Sequence, residues 1–505
     1  MALRDWFTRA KSSVDSTAAR RENIRNHSPN PFASVRPVRT RNFAAANTGR
    51  LFANWQTHFG DINNYLVSQL HIVRSRSREQ VVNNSYGRRY VSIMKSNVVG
   101  EVGVTVQAQT MRGIGKNKKL DTDANDAIEG AYKDWASRHC DYFGAASLLD
   151  FQNLAISSPC TDGEYLFIEH NEGEYGYQLE NVDPERLDTS RNQTERNGDI
   201  TCMGVTRNAK GHRVRYWLRE IVGQSAGYIS YSLTRSTPLD ANRVIHGFVP
   251  EWPNQMRGIP WMVAALPSMQ LLDKYDVAAL AAARAGAEKL GVYYSETGAE
   301  SIGGSEDENG AQIQDSEIAA FEQLPAGIID FKTYDPTYPH AMYADFHKAM
   351  VRRISSGLDL SYHVLANDLE GVNFSSSRTG TLEDRGLFRQ RQAWLINSLL
   401  TRVYERWLIN AVLRKKIRIG SRPLAHPVDE YLTAKFQPRR WDWVDPLKDL
   451  KANQGAIELK LKSRSQVIRD GGGDPDSVWR EIQREDAQLA KMGLLKPEDA
   501  NSGQI

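Results

Sequence analysis

The stretch that decides the fold is Ala366-Asn-Asp-Leu-Glu-Gly-Val-Asn-Phe-Ser-Ser-Ser-Arg378. It is small and polar, and it lies between two segments that carry the period of a helix. Before it, Phe346, Met350 and Ile354 recur every four residues, which predicts one face of a helix. We therefore interpret residues 366–378 as a pliant loop held between two helices, a mechanical part rather than a catalytic site.

A long helix is predicted after the loop, over residues 379–420. Thr379 or Thr381 can cap it, and Glu383 and Asp384 suit the positive end of a helix. Its apolar face comprises Leu382, Leu387, Phe388, Leu395, Leu399, Val403, Trp407, Leu408 and Val412.

Length and composition set the outer limits on the class of protein. A chain of 505 residues exceeds what one hydrophobic core usually supports, so several domains are expected. A formal net charge of +3 does not describe a polycation that coats nucleic acid. Cys140, Cys160 and Cys202 lack the spacing of a zinc site or a disulfide framework, and no apolar run is long enough to predict a membrane-spanning helix.

Charge is unevenly distributed along the chain. Residues 1–50 carry ten Lys or Arg against three acidic residues, which predicts a basic arm. Residues 291–343 carry ten Asp or Glu against Lys332 alone. Ala326-Gly-Ile-Ile-Asp-Phe-Lys332 reads as a strand in this block, so we expect a small acidic module with a flexible insert near residues 300–312.

The rest of the chain divides into helical and strand-rich regions. Helices are predicted over 51–100, 122–139, 259–290 and 441–495, with short strands over 162–248. In the first helical region the predicted inward face is Val81, Val82, Tyr86, Tyr90, Ile93, Met94 and Val98. The arginines placed largely on other faces are Arg74, Arg76, Arg78, Arg88 and Arg89.

Motifs for catalysis are incomplete. Residues 113–116 resemble part of a phosphate loop, but Thr110 and Asn117 stand where a glycine and a Ser or Thr are required. The serines at 375–377 have no histidine or lysine at a local spacing that would activate them. We therefore predict no enzymatic activity, no cofactor and no metal site.

The order of several short motifs resembles the portal proteins of lambda-type tailed bacteriophages over roughly residues 65–490. The residues that carry the resemblance are Arg74-Ser-Arg76, Asn83, Tyr86, Arg88, Asn97-Val-Val-Gly100, Trp135, Cys140-Asp141, Gly144, Asp162-Gly-Glu164, Arg257-Gly-Ile-Pro-Trp261, Ile354 to Tyr362 and Asp368 to Arg378. Three positions depart from the family's pattern. Asp359 replaces a glycine, His363 an acid and Phe374 a tyrosine.

The resemblance implies an α+β portal fold with a helical stem and crown, a mixed α/β wing and a small α/β clip, assembled as a ring of twelve subunits. The implied segments are the basic arm 1–50, wing 51–255, first stem helix 256–290, clip 291–343, second stem helix 344–365, tunnel loop 366–378, long wing helix 379–420 and crown 421–505.

The resemblance also implies which residues meet which partner. Double-stranded DNA would pass the tunnel loop at Asp368, Glu370, Asn373, Phe374, Ser375, Ser376, Ser377 and Arg378. The stem residues Lys348, Arg352 and Arg353 would line the channel, although salt bridges between subunits explain these charges equally well. The clip residues Glu306, Asp307, Glu308, Asp315 and Glu317 would dock the terminase large subunit and later the head–tail connector.

The implied location is the portal vertex of the capsid in the virion, with the host cytoplasm during assembly, and the implied neighbours include the major capsid protein and scaffold. A second hypothesis is a metal-dependent nucleic-acid-processing enzyme, with residues 306–308 and Asp315 holding the metal.

Overall fold

A computed structural model gives the fold. It describes residues 60–112, 119–225, 228–288, 291–295, 305–306, 312–313, 328–333, 342–370, 374–424, 427–441, 446–471 and 473–492. The chain forms two units, residues 1–60 and residues 61–505, and every helix and strand below belongs to the second. Helices and mostly antiparallel sheets are both abundant, which confirms the predicted α+β class. No helix in these ranges is both long and apolar enough to cross a membrane.

The first helical region is two helices rather than one, α1 (Ile62–Asn83) and α2 (Ser85–Val98). The helix breaks at Asn84, whose extended backbone lets its side chain accept hydrogen bonds from the amides of Tyr86 and Gly87. The predicted inward face is buried at Tyr90, Ile93, Met94 and Val98 but wrong at Val82, which is 73% exposed. Arg74 was predicted to lie off this face, yet it is buried.

Residues 105–182 lie in the predicted wing. Their elements are β1 (Thr105–Ala108), β2 (Met111–Arg112), β3 (Lys119–Leu120), α3 (Thr122–Asp134) with a π-helical turn at Trp135–His139, α4 (Leu148–Thr161), β4 (Tyr165–His170) and β5 (Gln178–Val182). The predicted helix over 122–139 is therefore confirmed.

An antiparallel sheet of five strands follows. Its strands are β6 (Gln193–Thr194), β7 (Ile200–Cys202), β8 (Val205–Arg207), β9 (Arg213–Ser225) and β10 (Tyr228–Asp240), in the order β10-β9-β8-β7-β6. Gly198 and Gly211 stand between successive strands with φ of 85°, the left-handed region that glycine adopts without steric cost. The last wing strand, β11 (Val244–Gly247), joins β4 and β5 in a second sheet ordered β11-β4-β5.

The predicted first stem helix starts later than expected, as α5 (Leu266–Glu288). Pro267 explains the difference, because proline is tolerated in the first turn of a helix but breaks a helix interior. The helix has 23 residues and is about 35 Å long.

Short strand pairs follow α5. They are β12 (Gly291–Ser295) with β15 (Ile328–Thr333), and β13 (Ser305–Glu306) with β14 (Gln312–Ile313). The strand predicted at 326–332 is thus present at 328–333, whereas most of the predicted insert at 300–312 lies outside the described residues.

The predicted second stem helix and the elements after it are α6 (Tyr343–Gly357), α7 (Tyr362–Ala366), α8 (Phe374–Leu395), a π-helical turn at Ile396–Leu400 and α9 (Thr401–Leu413). The predicted loop 366–378 is too long, because Phe374–Arg378 form the start of α8. Serine is unfavourable in the middle of a helix but well tolerated near its start. The serines at 375–377 are therefore compatible with the first turn of a helix.

Short strands then precede the last helices. The elements are β16 (Arg418–Ile419), β17 (Arg422–Pro423), β18 (Ala434–Gln437), α10 (Pro446–Glu458), α11 (Arg464–Asp470) and α12 (Pro475–Lys491). Strand β18 pairs antiparallel with β1. Residues 434–437, which fall in the predicted crown 421–505, thus form a two-stranded sheet with residues 105–108.

Two clusters of buried apolar residues hold the fold together, and the larger joins the long helix to α2, α3 and β4. Trp135, Trp407 and Tyr132 meet at its centre, with ring centroids of Tyr132 and Trp407 4.9 Å apart in an edge-to-face arrangement. The core includes Phe388, Leu395, Leu399, Val403, Leu408 and Val412, as the apolar pattern of the long helix predicted.

Candidate functional site

The described start of the predicted tunnel loop is held in place by Asp368. Helix α7 ends at Asn367, which has a left-handed backbone with φ of 55°. Asp368 Oδ2 accepts a hydrogen bond of 2.7 Å from the Tyr362 hydroxyl, and its Oδ1 accepts one of 2.9 Å from the backbone N–H of Glu370. The exposed segment that follows Asp368 therefore leaves α7 in a fixed direction.

These contacts shift the titration of both partners. The hydrogen bond from Tyr362 is the main reason that the pKa of Asp368 is lowered. Burial, followed by the neighbouring Asp368, raises the pKa of Tyr362 to about 12. Near neutral pH, Asp368 therefore stays ionised and Tyr362 stays protonated, which are the states that form this hydrogen bond.

Two of the three predicted stem cations contact the start of this loop. Lys348 Nζ lies 3.5 Å from Asp368 Oδ2 and 5.8 Å from the centre of the Tyr362 ring. Arg352 lies 5.5 Å from the same ring. Arg353 is exposed on the next position of α6. No described carboxylate forms an ion pair with Arg352 or Arg353, so both charges are available at the surface of this subunit.

Helix α7 is also fastened to α8. The backbone N–H of Ser361 donates to Asp384 Oδ1 at 3.0 Å, and the Ser361 hydroxyl donates to Oδ2 of the same buried carboxylate. Gly380 permits the close approach, because a Cβ there would lie 2.7 Å from Cε1 of His363. The loop is thus anchored on one side to α6 and on the other to α8.

Asp359, one of the departures from the family's pattern, occupies a position with φ of 55°. Glycine adopts this conformation without steric cost, and aspartate tolerates it better than most residues.

Several predicted site residues are not placed by the structure. Asn373 lies outside the described residues, as do Asp307, Glu308, Asp315 and Glu317 of the clip. The backbone places Glu306 in β13 and Phe374, Ser375, Ser376, Ser377 and Arg378 at the start of α8. Among the described residues, no three His, Cys, Asp or Glu side chains cluster as a metal site would require.

A buried charge cluster in the wing was not predicted. Glu164, just before β4, accepts hydrogen bonds from Arg74 of α1 at 2.6 Å and from Arg257 Nε and Nη2 at 2.8 and 2.6 Å. The backbone N–H of Gly258 and Nε2 of His246 complete its shell at 2.7 and 3.0 Å. This carboxylate therefore joins α1, β4, β11 and the segment that leads into α5.

Two glycines let these segments meet. A Cβ on Gly163 would lie 2.4 Å from the carbonyl carbon of Ile259, and a Cβ on Gly258 would lie 2.0 Å from the carbonyl oxygen of Gly163. Two backbones at this distance leave no room for any side chain. Asp162, the residue before Gly163, adds an ion pair of 2.6 Å to Arg78.

Burial and the neighbouring charges determine the protonation states of Glu164 and His246. Burial alone would raise the pKa of Glu164, but Arg257, Arg74 and His246 outweigh burial and hold that pKa well below its usual range. Burial lowers the pKa of His246 to about 4 and outweighs the opposite effect of Glu164. His246 is therefore neutral and donates from Nε2 to the carboxylate.

A signal for this cluster was present in the sequence. Arg74-Ser-Arg76, Asp162-Gly-Glu164 and Arg257-Gly were among the motifs that carry the family resemblance. An acidic residue and an arginine, each beside a glycine, suit a buried ion pair between closely packed backbones. About 90 residues of the chain separate Glu164 from each of the two arginines, so the sequence alone did not show that they pair.

Comparisons with known proteins identify the family of this chain. The chain is 31% identical over 475 residues to the probable portal protein of Halomonas phage phiHAP-1, covering 92% of this chain and 90% of that protein. It is 20% identical to portal protein B of Escherichia phage lambda, covering 93% of each. A solved chain from the neck of an empty GTA particle superposes with a TM-score of 0.42 at 12% identity, over 86% of this chain and all of that one. The family model for phage portal proteins of the lambda family matches residues 48–392, and the chain belongs to that family.

Proposed function

We propose that twelve copies of this chain form a closed ring at one vertex of a phage capsid, and that double-stranded DNA enters and leaves through the centre of the ring. Family membership supports a portal function. A single chain of this size has a radius of gyration of about 23 Å, too small to surround a duplex, so a channel requires several copies.

The observation that carries the DNA-guiding role is the anchoring of the loop that starts at Asn367. Asp368 binds Tyr362 and Lys348, while Ser361 binds Asp384 of α8. A loop that is fixed at its first residues and exposed beyond them can contact DNA that passes through the ring while the base of the loop stays in place. Leu369 is 68% exposed and Glu370 is also exposed, so the described tip presents no cation of its own.

Electrostatics support passage rather than tight binding. Dense neutralisation of phosphates by Lys and Arg produces strong, salt-dependent DNA binding. Here Lys348 is already paired with Asp368, and Glu370 adds a negative charge at the loop. Arg352 and Arg353 remain as weak contacts, which suits a duplex that must slide in both directions.

The other partners follow from the segments. We propose that the acidic module between α5 and α6 docks the terminase large subunit during packaging and the head–tail connector afterwards. The wing would face the major capsid protein and scaffold. The chain would assemble in the host cytoplasm and remain in the virion.

Electron microscopy of the purified chain tests the ring. An annulus with twelvefold symmetry is the expected image. A particle that stays monomeric at every salt and protein concentration would overturn the proposal.

A packaging assay tests the role of the loop. Deleting Gly371, Val372 and Asn373 should leave the annulus unchanged while it lowers DNA packaging or retention. The matched control deletes three residues at the hairpin tip near Lys210. Packaging should be unchanged in that variant. Loss of the annulus in the loop variant would show that the loop is an assembly element instead.

A further inference from the structure

The last helix, α12, has an apolar stripe that no described part of this chain covers. Every described residue from Trp479 to Ala490 is exposed. The exposed fraction is 45% for Trp479, 46% for Ile482, 39% for Leu489 and 61% for Met492. An isolated amphipathic helix of this length is only marginally stable in water, so the stripe needs a partner.

The spacing of the stripe resembles a coiled-coil seam. Val478, Ile482, Leu489 and Met492 fall at alternating positions of a seven-residue repeat, with Glu485 completing the seam. Glu481 and Asp486 occupy positions that flank such a seam, whereas Arg484 falls on another face. Arg480 also lies away from the seam and pairs with Asp126 of α3 at 3.0 Å. The stripe is therefore apolar apart from Glu485 and has acidic borders.

A second exposed apolar patch ends α10. Leu459 and Leu461 are 74% and 76% exposed. The amide of Leu461 donates to the carbonyl of Ala456 and that of Lys460 to Ile457, a helix-ending motif with Lys460 in the left-handed region at φ 58°. The residue in the position of Leu461 normally packs back on its own helix in this motif. Here it projects into solvent, so the turn is ordered but its apolar residue is uncovered.

The two patches are complementary in charge. Lys451 and Lys460 are exposed near Leu459 in the sequence, and neither has an ion-pair partner among the described residues. Glu481, Glu485 and Asp486 likewise have no described ion-pair partner. Lysines at one patch thus match unpaired carboxylates at the other.

We propose that the stripe of α12 in one subunit packs on Leu459 and Leu461 of the neighbouring subunit. The two patches differ, so the contact is head-to-tail, and repeating it generates a closed ring or a filament. Within one subunit both patches stay exposed, and a second copy supplies both sets of missing contacts. This inference rests on the proposed ring and identifies a contact that closes it.

Disulfide trapping tests the contact. Leu461→Cys and Ile482→Cys are made as separate variants in a Cys202→Ser background, since Cys140 and Cys160 are buried. Mixed during assembly and oxidised, the two variants should give a covalent dimer. Either variant alone should give none, and Leu461→Cys mixed with Gln483→Cys is the matched control for position.

The outcomes separate this contact from the ring itself. An annulus by microscopy without a mixed dimer overturns the contact and leaves the ring in place. Absence of the annulus overturns the proposed function as well. Self-crosslinking of a single variant would show a symmetric contact and contradict the head-to-tail arrangement.

Charge reversal supplies a second readout. Lys460→Glu should raise by roughly fivefold the subunit concentration at half-maximal assembly, as expected for loss of an exposed ion pair. Adding Glu485→Lys should restore assembly, whereas Gln483→Lys on another face should not. No restoration by Glu485→Lys would refute this charge pairing.

Discussion

Glu164 compensates two arginines in the interior of the wing, and removing its charge leaves them unpaired. Replacing Glu164 by Gln should destabilise the chain by about 3–5 kcal/mol, because Arg74 and Arg257 then stay buried without a carboxylate. Chemical denaturation measures the loss. Glu174→Gln, which removes an exposed pair with Lys416, is the control and should leave the midpoint nearly unchanged. Equal midpoints for both variants would contradict this role for Glu164.

His246 should make stability depend on pH. Its pKa is about 4 in the folded chain and about 6.5 when unfolded, so the unfolded chain binds more protons between these values. The contribution is fully present above pH 6.5 and is lost as pH falls toward 4, by about 2 kcal/mol at pH 5. Unfolding free energies at pH 7 and pH 5 measure it. His246→Gln should remove this part of the slope, and an unchanged slope in that variant would contradict the assignment.

Glycine is required where the two backbones of the wing meet. Gly258→Ala should prevent native packing, because its Cβ would lie 2.0 Å from the carbonyl oxygen of Gly163. The matched control is Gly130→Ala on α3, where no atom lies within 4 Å of the added Cβ. That variant should gain about 1 kcal/mol from helix propensity. Thermal unfolding of both variants checks the pair of outcomes, and tolerance of Ala at 258 would show that the segments can separate.

At the scale of elements, α7 depends on its bonds to α8. Asp384→Asn should weaken the hydrogen bonds from Ser361 and loosen α7, since a neutral amide accepts more weakly than a carboxylate. Hydrogen exchange of amides in residues 361–366 should speed up at least fivefold. Glu383→Gln, on the exposed neighbouring position, should not change it. Faster exchange throughout the wing would show a general loss of stability instead.

Helix existence was easier to predict than helix ends. The apolar repeat from Leu387 to Val412 predicted a long helix that the structure confirms, because burial on one face imposes that repeat. Its start was placed at residue 379 instead of 374, since a run of serines fits both a loop and a first helical turn. The start of α5 was likewise missed, although Pro267 marked it.

At the scale of the whole chain, residues 434–441 are bound to β1, α2 and α8. Strand β18 pairs with β1, Trp441 Nε1 donates to Asn97 Oδ1 at 2.9 Å, and Gln392 donates to the carbonyl of Arg439. Truncation after residue 441 should therefore leave the main thermal transition in place, whereas truncation after residue 420 should abolish it. Calorimetry of the two shortened chains measures the difference. Equal transitions would place the boundary of the wing before residue 421.

The candidate site was only partly predictable. The resemblance pointed to Asp368, Lys348 and Arg352, and the structure brings these three to one place. The anchoring of Ser361 by Asp384 could not be read from the sequence, because an acidic residue in a first helical turn is explained equally well by the helix dipole. The clip residues Asp307, Glu308, Asp315 and Glu317 stay a prediction.

The sequence by itself determined the α+β class, the long helices, the family and the place of the loop. Periodic burial and local turn chemistry depend on residues that are neighbours in the chain, so sequence patterns reveal them. Only the tertiary structure decided that Glu164 joins Arg74 to Arg257, that β18 pairs with β1 and that the stripe of α12 stays uncovered. These features join residues far apart in the chain, and a local pattern carries no information about which distant partner a charge or a strand edge will meet.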